Sequence, residues 1–145
     1  MIIRKIGFTG TSKGMSKEQR EGIRKLLLSS VTKKERVEIH HGDCIGADTE
    51  VHWILKPHSR FYFVIHPPIN NSKRAYCSGN VILEPKPYLK RNHDIVDSTS
   101  SLIAAPLTDK EVIRSGTWAT IRYALKRGKE VLIIQRNGKI IKRTK

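Results

Sequence analysis

Apolar positions along this chain follow two alternating rhythms. Short runs rich in β-branched and aromatic residues, at 2–9, 36–41, 61–66, 101–105 and 131–135, read as strands, and the stretches between them repeat at helical spacing. Ser16-Lys17-Glu18-Gln19 is a capping-box pattern, with Ser at the N-cap and Gln three residues on. The helix it opens carries Ile23, Leu26, Leu27 and Ser30 on one face. A second helix buries Ala47, Val51, Ile54 and Leu55 and stops before Pro57. Residues 88–97 read as a helix with Leu89, Asn92 and Val96 turned toward the sheet. Residues 115–127 form the last helix, with Ser115 as its N-cap, Trp118, Ile121 and Leu125 at helical spacing, and Gly128 just past its end. This alternation predicts a single-domain, Rossmann-like, doubly wound α/β fold over residues 1–136. Its five parallel strands take the order 3-2-1-4-5, and 137–145 follows as a basic C-terminal tail. Residues 67–87 fit neither rhythm and carry Pro67, Pro68, Gly79, Pro85 and Pro87, which predicts a lid or an arm.

Composition narrows the partners. No apolar run approaches the ~20 residues that span a bilayer, so a cytoplasmic protein without a membrane partner is expected. Cys44 and Cys77 are too few for a disulfide framework, and no Cys/His spacing reads as a zinc site. No metal and no cofactor are therefore expected. The net charge of +15 calls for an anionic partner, and from Lys110 to Lys145 eleven Lys/Arg face only Glu111 and Glu130. Against this, the chain has only two Trp, four Tyr and three Phe, and Phe8, Phe61, Phe63 and Trp53 fall in core patterns. Without a row of stacking platforms, binding to single-stranded nucleic acid should be weak and non-specific.

Ligands of open parallel sheets bind beyond the carboxyl ends of the strands. The unusual clusters of this chain fall at those ends: Gly10-Thr11-Ser12-Lys13, then Gly42-Asp43-Cys44-Ile45-Gly46, then His66-Pro67, then Arg114-Ser115-Gly116-Thr117. Glycines let backbone approach a phosphate, first-turn N–H groups of a helix point at it, hydroxyls add donors, and Lys13 and Arg114 add charge. Asp48 suits ribose hydroxyls. Several residues keep two readings. Asp48 and His52, four apart, form an acid–base pair or an ordinary hydrogen bond. Cys44 is an activated thiolate or a small packing residue. Asn92 satisfies local backbone or touches ligand, and Trp118 is core or a neighbour of the cradle.

Five ordered motifs span nearly the whole chain: Gly7-Phe8-Thr9-Gly10-Thr11; His40-His41-Gly42-Asp43-Cys44-Ile45-Gly46-Ala47-Asp48; His66-Pro67-Pro68; Lys86-Pro87-Tyr88-Leu89-Lys90-Arg91-Asn92; and Ser115-Gly116-Thr117-Trp118-Ala119-Thr120-Ile121-Arg122-Tyr123-Ala124. Together they resemble the small, often phage-encoded proteins of the SLOG superfamily, which joins DNA-processing protein A to the LONELY GUY phosphoribohydrolases. The resemblance implies a Rossmann-like sheet in a homodimer or higher homo-oligomer. It also implies one of three activities: hydrolysis of nucleoside monophosphates, single-stranded DNA binding, or recognition of nucleotide signals such as cyclic ADP-ribose derivatives. The hydrolases carry a Pro-Gly-Gly-x-Gly-Thr-x-x-Glu motif, and Thr120 stands where its catalytic Glu would be. The leading expectation is therefore a binder that sequesters an ADP-ribose-type nucleotide, as a phage anti-defence sponge in the host cytoplasm would. The alternatives are an N-glycosidase using Asp43 or Asp48, and a nucleic-acid binder.

Overall fold

In the computed structural model, which describes residues 2–30, 32 and 34–144, one mixed sheet runs through the molecule; the side chains of Ile2 and Ser30 lie outside the described residues. Its strands are β1 (Ile2–Gly10), β2 (Glu35–His41), β3 (Phe61–Ile65), β4 (Val81–Ile82), β5 (Ser101–Ala105), β6 (Glu130–Ile134) and β7 (Ile140–Arg143), in the spatial order β4-β3-β2-β1-β5-β6-β7. The five inner strands are parallel and take the predicted order. The expected five-stranded sheet is nevertheless a seven-stranded one, widened at both edges.

Both additions have local causes. The expected basic tail turns back as β7, antiparallel to β6, through a hairpin in which Gln135 N–H donates to Lys139 O at 2.8 Å and Gly138 takes φ 88°. Asn-Gly before alternating residues is a strong hairpin signal, here masked by the density of positive charge. At the other edge, residues 67–87 lie along β3: Phe63 N–H donates to Asn80 Oδ1 (2.8 Å), Leu83 N–H donates to Ile65 O (2.9 Å), and Pro68 bridges to Lys86. The segment is pinned to the sheet edge and also reaches the loop that follows β2, where Ile45 N–H donates to Lys73 O (3.0 Å) and Ala75 N–H to Asp43 O (2.7 Å).

Helices α1 (Lys17–Ser30) and α2 (Ala47–Leu55) cover one face, and α3 (Tyr88–Asp97) and α4 (Gly116–Lys126) the other. The capping box forms as its residues demand: Gln19 N–H donates to Ser16 Oγ, and Ser16 N–H to Gln19 Oε1, both at 3.0 Å. Gln19 is fully buried, and its amide donates to Pro106 O (2.9 Å) and Ile134 O (2.8 Å), tying α1 to the ends of β5 and β6. Two helix faces differ from expectation. On α2 the inward stripe is Ala47, Val51 and Leu55, which leaves Ile54 half-buried and turns Trp53 outward, 56% exposed. On α3 the buried face is Arg91, Ile95 and Val96, and Leu89 stands 65% exposed. That rotation brings a charged residue inward, which no apolar-periodicity argument selects.

Candidate functional site

A cleft of about 460 Å³ opens at the carboxyl ends of the central strands. Its first wall is the loop after β1. Thr11 N–H is anchored on Ala105 O (3.1 Å), and Thr11 O receives Ala47 N–H (3.0 Å), so the loops after β1 and β2 lock backbone to backbone. Two glycines allow this approach. A Cβ on Gly10 would stand 2.5 Å from Ala47 Cβ, and Gly46, at φ 101°, packs on the Thr11 and Ser12 carbonyls. Gly46 therefore shapes the cleft from behind and does not line it. Ser12 and Lys13 remain exposed at the rim.

The second wall is the start of α4. Ser115 Oγ accepts from Trp118 N–H (3.2 Å), so the cap satisfies one first-turn donor. The N–H groups of Gly116 and Thr117 precede any residue with a helical acceptor for them, and the helix dipole adds positive potential at this wall. An added Cβ on Gly116 would meet nothing within 4 Å.

The third wall is β2's turn with α3. Arg91 is 4% exposed, yet its guanidinium has no carboxylate within ion-pair distance among the described residues. It donates instead to the carbonyls of Gly42 and His66 (3.0 Å to the latter) and to Asn92 Oδ1 at 2.8 Å, lies 3.5 Å from Cys44 Sγ, and stacks 5.2 Å from the Tyr88 ring centroid. Carbonyl partners satisfy the donors of a buried cation but carry no countercharge, which here comes only from a carboxylate beyond ion-pair distance, Asp48. Beside it, Asp48 Oδ2 accepts from Gly42 N–H (3.1 Å) and Cys44 N–H (3.2 Å), while Oδ1 is buried without any partner. Burial pushes the Asp48 carboxyl up to about 6, against the downward pull of Arg91 and the two amides.

Of the residues expected at the site, Gly10, Thr11, Ser12, Lys13, Gly42, Cys44, Asp48, Asn92, Ser115, Gly116 and Thr117 line this one cleft. Asp43 does not. It is wholly buried, paired with Arg74 (3.1 Å), and accepts from Cys77 N–H (2.8 Å). His66 and Pro67 are buried and do not line the cleft, Arg114 is exposed outside it, and Trp118 packs in the α4 core beside Ile121. Burial raises the Cys44 thiol pKa, with Asp48 adding to it, so the residue is no activated thiolate. Asp48 and His52 form no pair. Thr120 spends its hydroxyl on Gly116 O (2.9 Å). The lining residues missed from sequence include Arg91, Lys73, Tyr88 and Thr108. Arg91 lay within the Lys86–Asn92 motif, but a helical register that faced Asn92 inward concealed it.

Behind the cleft, β2 ends in two histidines that point to opposite faces. His40 donates from Nε2 to Glu38 (3.1 Å) and accepts at Nδ1 from His66 Nε2 (2.9 Å). His41 Nε2 lies 3.0 Å from His52 Nδ1 on α2. Burial lowers the pKa of His40 and His41, and lowers His66 to about 4, so these pairs are neutral.

Fold and cleft together define a Rossmann-like α/β protein with a donor-rich cleft at its strand ends. No protein-family model and no curated protein matches the sequence. Among solved structures, the X-ray structure of TM1055, Northeast Structural Genomics Consortium target VT76, is similar at a TM-score of 0.62 and 18% identity, covering 88% of this chain and 72% of that one. At that identity the likeness shows the fold, and nothing of ligand or activity. Among the described residues, no helix is long and apolar enough to cross a membrane.

Proposed function

We propose that this protein binds a phosphate-bearing nucleotide derivative of the ADP-ribose type in the cleft and holds it without turning it over. The observation that carries this reading is Arg91, a buried guanidinium with no carboxylate in ion-pair contact, in one cleft with the uncapped N–H groups of Gly116 and Thr117. An anion spanning them would supply the missing charge, with Lys13 and Lys73 at the rim. Asp48 Oδ1, an acceptor without a donor, suits a ribose hydroxyl. The absence of turnover follows from Thr120, which offers no carboxylate where the related hydrolases place one. Sequestration, in the manner of a phage anti-defence sponge, is the role that such a binder would serve. A homodimer fits the uninterrupted exposure of residues 81–90, which includes Ile82, Leu83 and Leu89.

One observation favours a second reading. A buried carboxyl with its pKa near 6, lining a cleft, is what a general acid or base requires, so Asp48 is the residue through which N-glycosidase chemistry would run. The test is incubation with AMP, ADP-ribose, NAD and cyclic ADP-ribose isomers, followed by heat denaturation and chromatography of the supernatant. Recovery of one intact, stoichiometric ligand is the expected result. Steady release of free base or ribose phosphate, lost in Asp48→Asn, would establish the enzyme instead.

A further inference from the structure

We infer that His41, His52 and Cys77 form a metal site for a zinc-like, borderline-soft divalent cation, sealed beneath the cleft and separate from it. One ring nitrogen from each of His41 and His52 and the Cys77 sulfur all lie within 4.8 Å of one another, and all three residues are buried, at 0%, 0% and 5% exposure. None of the three lines the cleft. Two imidazoles and a thiol converging on one point is the donor set that zinc selects.

The chain brings them together from three elements. His41 ends β2, His52 projects from α2, and Cys77 arrives on the segment after β3. That segment is clamped by Asp43, whose carbonyl accepts from Ala75 N–H (2.7 Å) and whose carboxylate holds Arg74 and Cys77 N–H. Asp43 and Tyr76, which precedes Cys77, are the non-glycine residues of positive φ among the described residues, at 56° and 57°. Backbone strain of that kind persists where surrounding contacts over-determine it, and it clusters at functional sites. Here both strained residues flank the same three ligand atoms.

In the ion-free chain hydrogen bonds hold the three groups: His41 bonds to His52, and the Cys77 thiol, its pKa pushed up to about 12 by burial, bonds to the Asp43 carboxylate and to Thr49. Asp43 N–H donates to His41 Nδ1 (3.0 Å), so the neutral ring carries its proton on Nε2 and donates to His52 Nδ1. His52 is left with its proton on Nε2, and that buried atom has no partner of normal geometry, although the Ser78 backbone stands nearby. A cation between the rings uses this same His52 tautomer, with Nδ1 free to coordinate. Three protein ligands leave the fourth tetrahedral position to a water that enters with the ion, and coordination at ~2.0–2.1 Å to nitrogen and ~2.3 Å to sulfur sets the protein's ligand atoms about 3.3–3.6 Å apart. The two rings must therefore open by a few tenths of an ångström, and the sulfur must close in. On loading, the Cys77 thiol proton is released to solvent and a metal–thiolate bond forms. The His41 proton moves from Nε2 to Nδ1, so the Asp43 N–H must turn away. The Cys77 thiolate offsets one of the ion's two charges, and the Asp43 carboxylate, shared with Arg74, lies beside it.

The test is titration of the purified, chelator-treated chain with Zn²⁺ and with Co²⁺. The expected result is one equivalent bound per chain, a rise in melting temperature with Zn²⁺, and a thiolate-to-cobalt charge-transfer band with tetrahedral visible bands. Cys77→Ser, a near-isosteric change, should remove the thiolate band, whereas Cys44→Ser should keep it. Circular dichroism reports whether each variant folds. Failure of the unaltered chain to take up either ion stoichiometrically overturns the inference, as does a thiolate band that survives in Cys77→Ser.

Discussion

Over four residues, from the last of β2 into the turn that follows, the chain alternates between two environments. Gly42 and Cys44 line the open cleft, whereas His41 and Asp43 are sealed under it. On the sealed side Asp43 is matched twice, by Arg74 and by the Cys77 amide, and it supplies the amide that His41 accepts. On the cleft side the matching is incomplete. Arg91 has carbonyls but no carboxylate, and Asp48 keeps one oxygen without a donor. Leaving a buried polar group unmatched costs about 1–3 kcal/mol, more for a charge. Groups that bear this cost sit where a ligand can reach them. Elsewhere buried polar side chains are satisfied from within, apart from Trp118 Nε1 in the α4 core and His52 Nε2 at the proposed metal site.

The largest effect expected is on affinity. Gly116→Asp places a carboxylate at the α4 wall, where the backbone has room for it, so the melting temperature should change little. Repulsion of the bound phosphate by several kcal/mol should lower nucleotide affinity by two to three orders of magnitude. Calorimetric titration beside a thermal melt checks both halves, and unchanged affinity places the anion elsewhere.

Two aspartates a few residues apart should then behave in opposite ways. Asp43→Asn keeps a residue tolerant of positive φ but strips Arg74 of its counter-ion in a buried setting, and should cost roughly 3 kcal/mol of stability. Nucleotide affinity should be retained once the chain is folded. If Asp43→Asn removes binding while the melt is unchanged, the division into sealed and open sides is wrong.

Asp48→Asn should instead stabilise the chain, and only at neutral pH. The folded pKa, about 6, exceeds the ordinary 3.8, so the contribution of the protonated, neutral form is intact below pH ~4 and is lost as pH rises through 6. Asn escapes that loss. The shift of about two units corresponds to a gain of up to ~3 kcal/mol at pH 7 and about none at pH 4, measured by chemical denaturation at both. The variant should bind nucleotide less well at pH 7, having lost the acceptor for a hydroxyl.

The smallest effect concerns nucleic acid. With Trp53 exposed on α2 and no row of aromatic side chains along the cleft, single-stranded DNA should bind in the micromolar range and dissociate steeply with salt. Nanomolar binding that survives high salt would move the basic surface from background to function.

The amino-acid sequence by itself determined the parallel core. Strand and helix periods, the Ser16–Gln19 capping box and the Ser115 cap are local signals, and local hydrogen bonding makes them. The strand-end rule then placed most of the cleft, because glycine turns and a helix N-terminus must meet wherever parallel strands end. The sheet edges were harder to read. The Asn137-Gly138 turn was visible but outweighed by charge, and β4 needs β3 beside it before two residues count as a strand. Tertiary structure alone decided the rest. A rotation of α3 made Arg91, not Asn92, the buried residue, since the guanidinium finds carbonyls from two separate loops there. Position in the fold also decided which aspartate faces the cleft and brought Cys77 to His41 and His52, residues spaced too widely for a ligand pattern to show. Burial, charge compensation and metal-donor geometry depend on neighbours distant in the chain, and such neighbours exist only once the chain has folded.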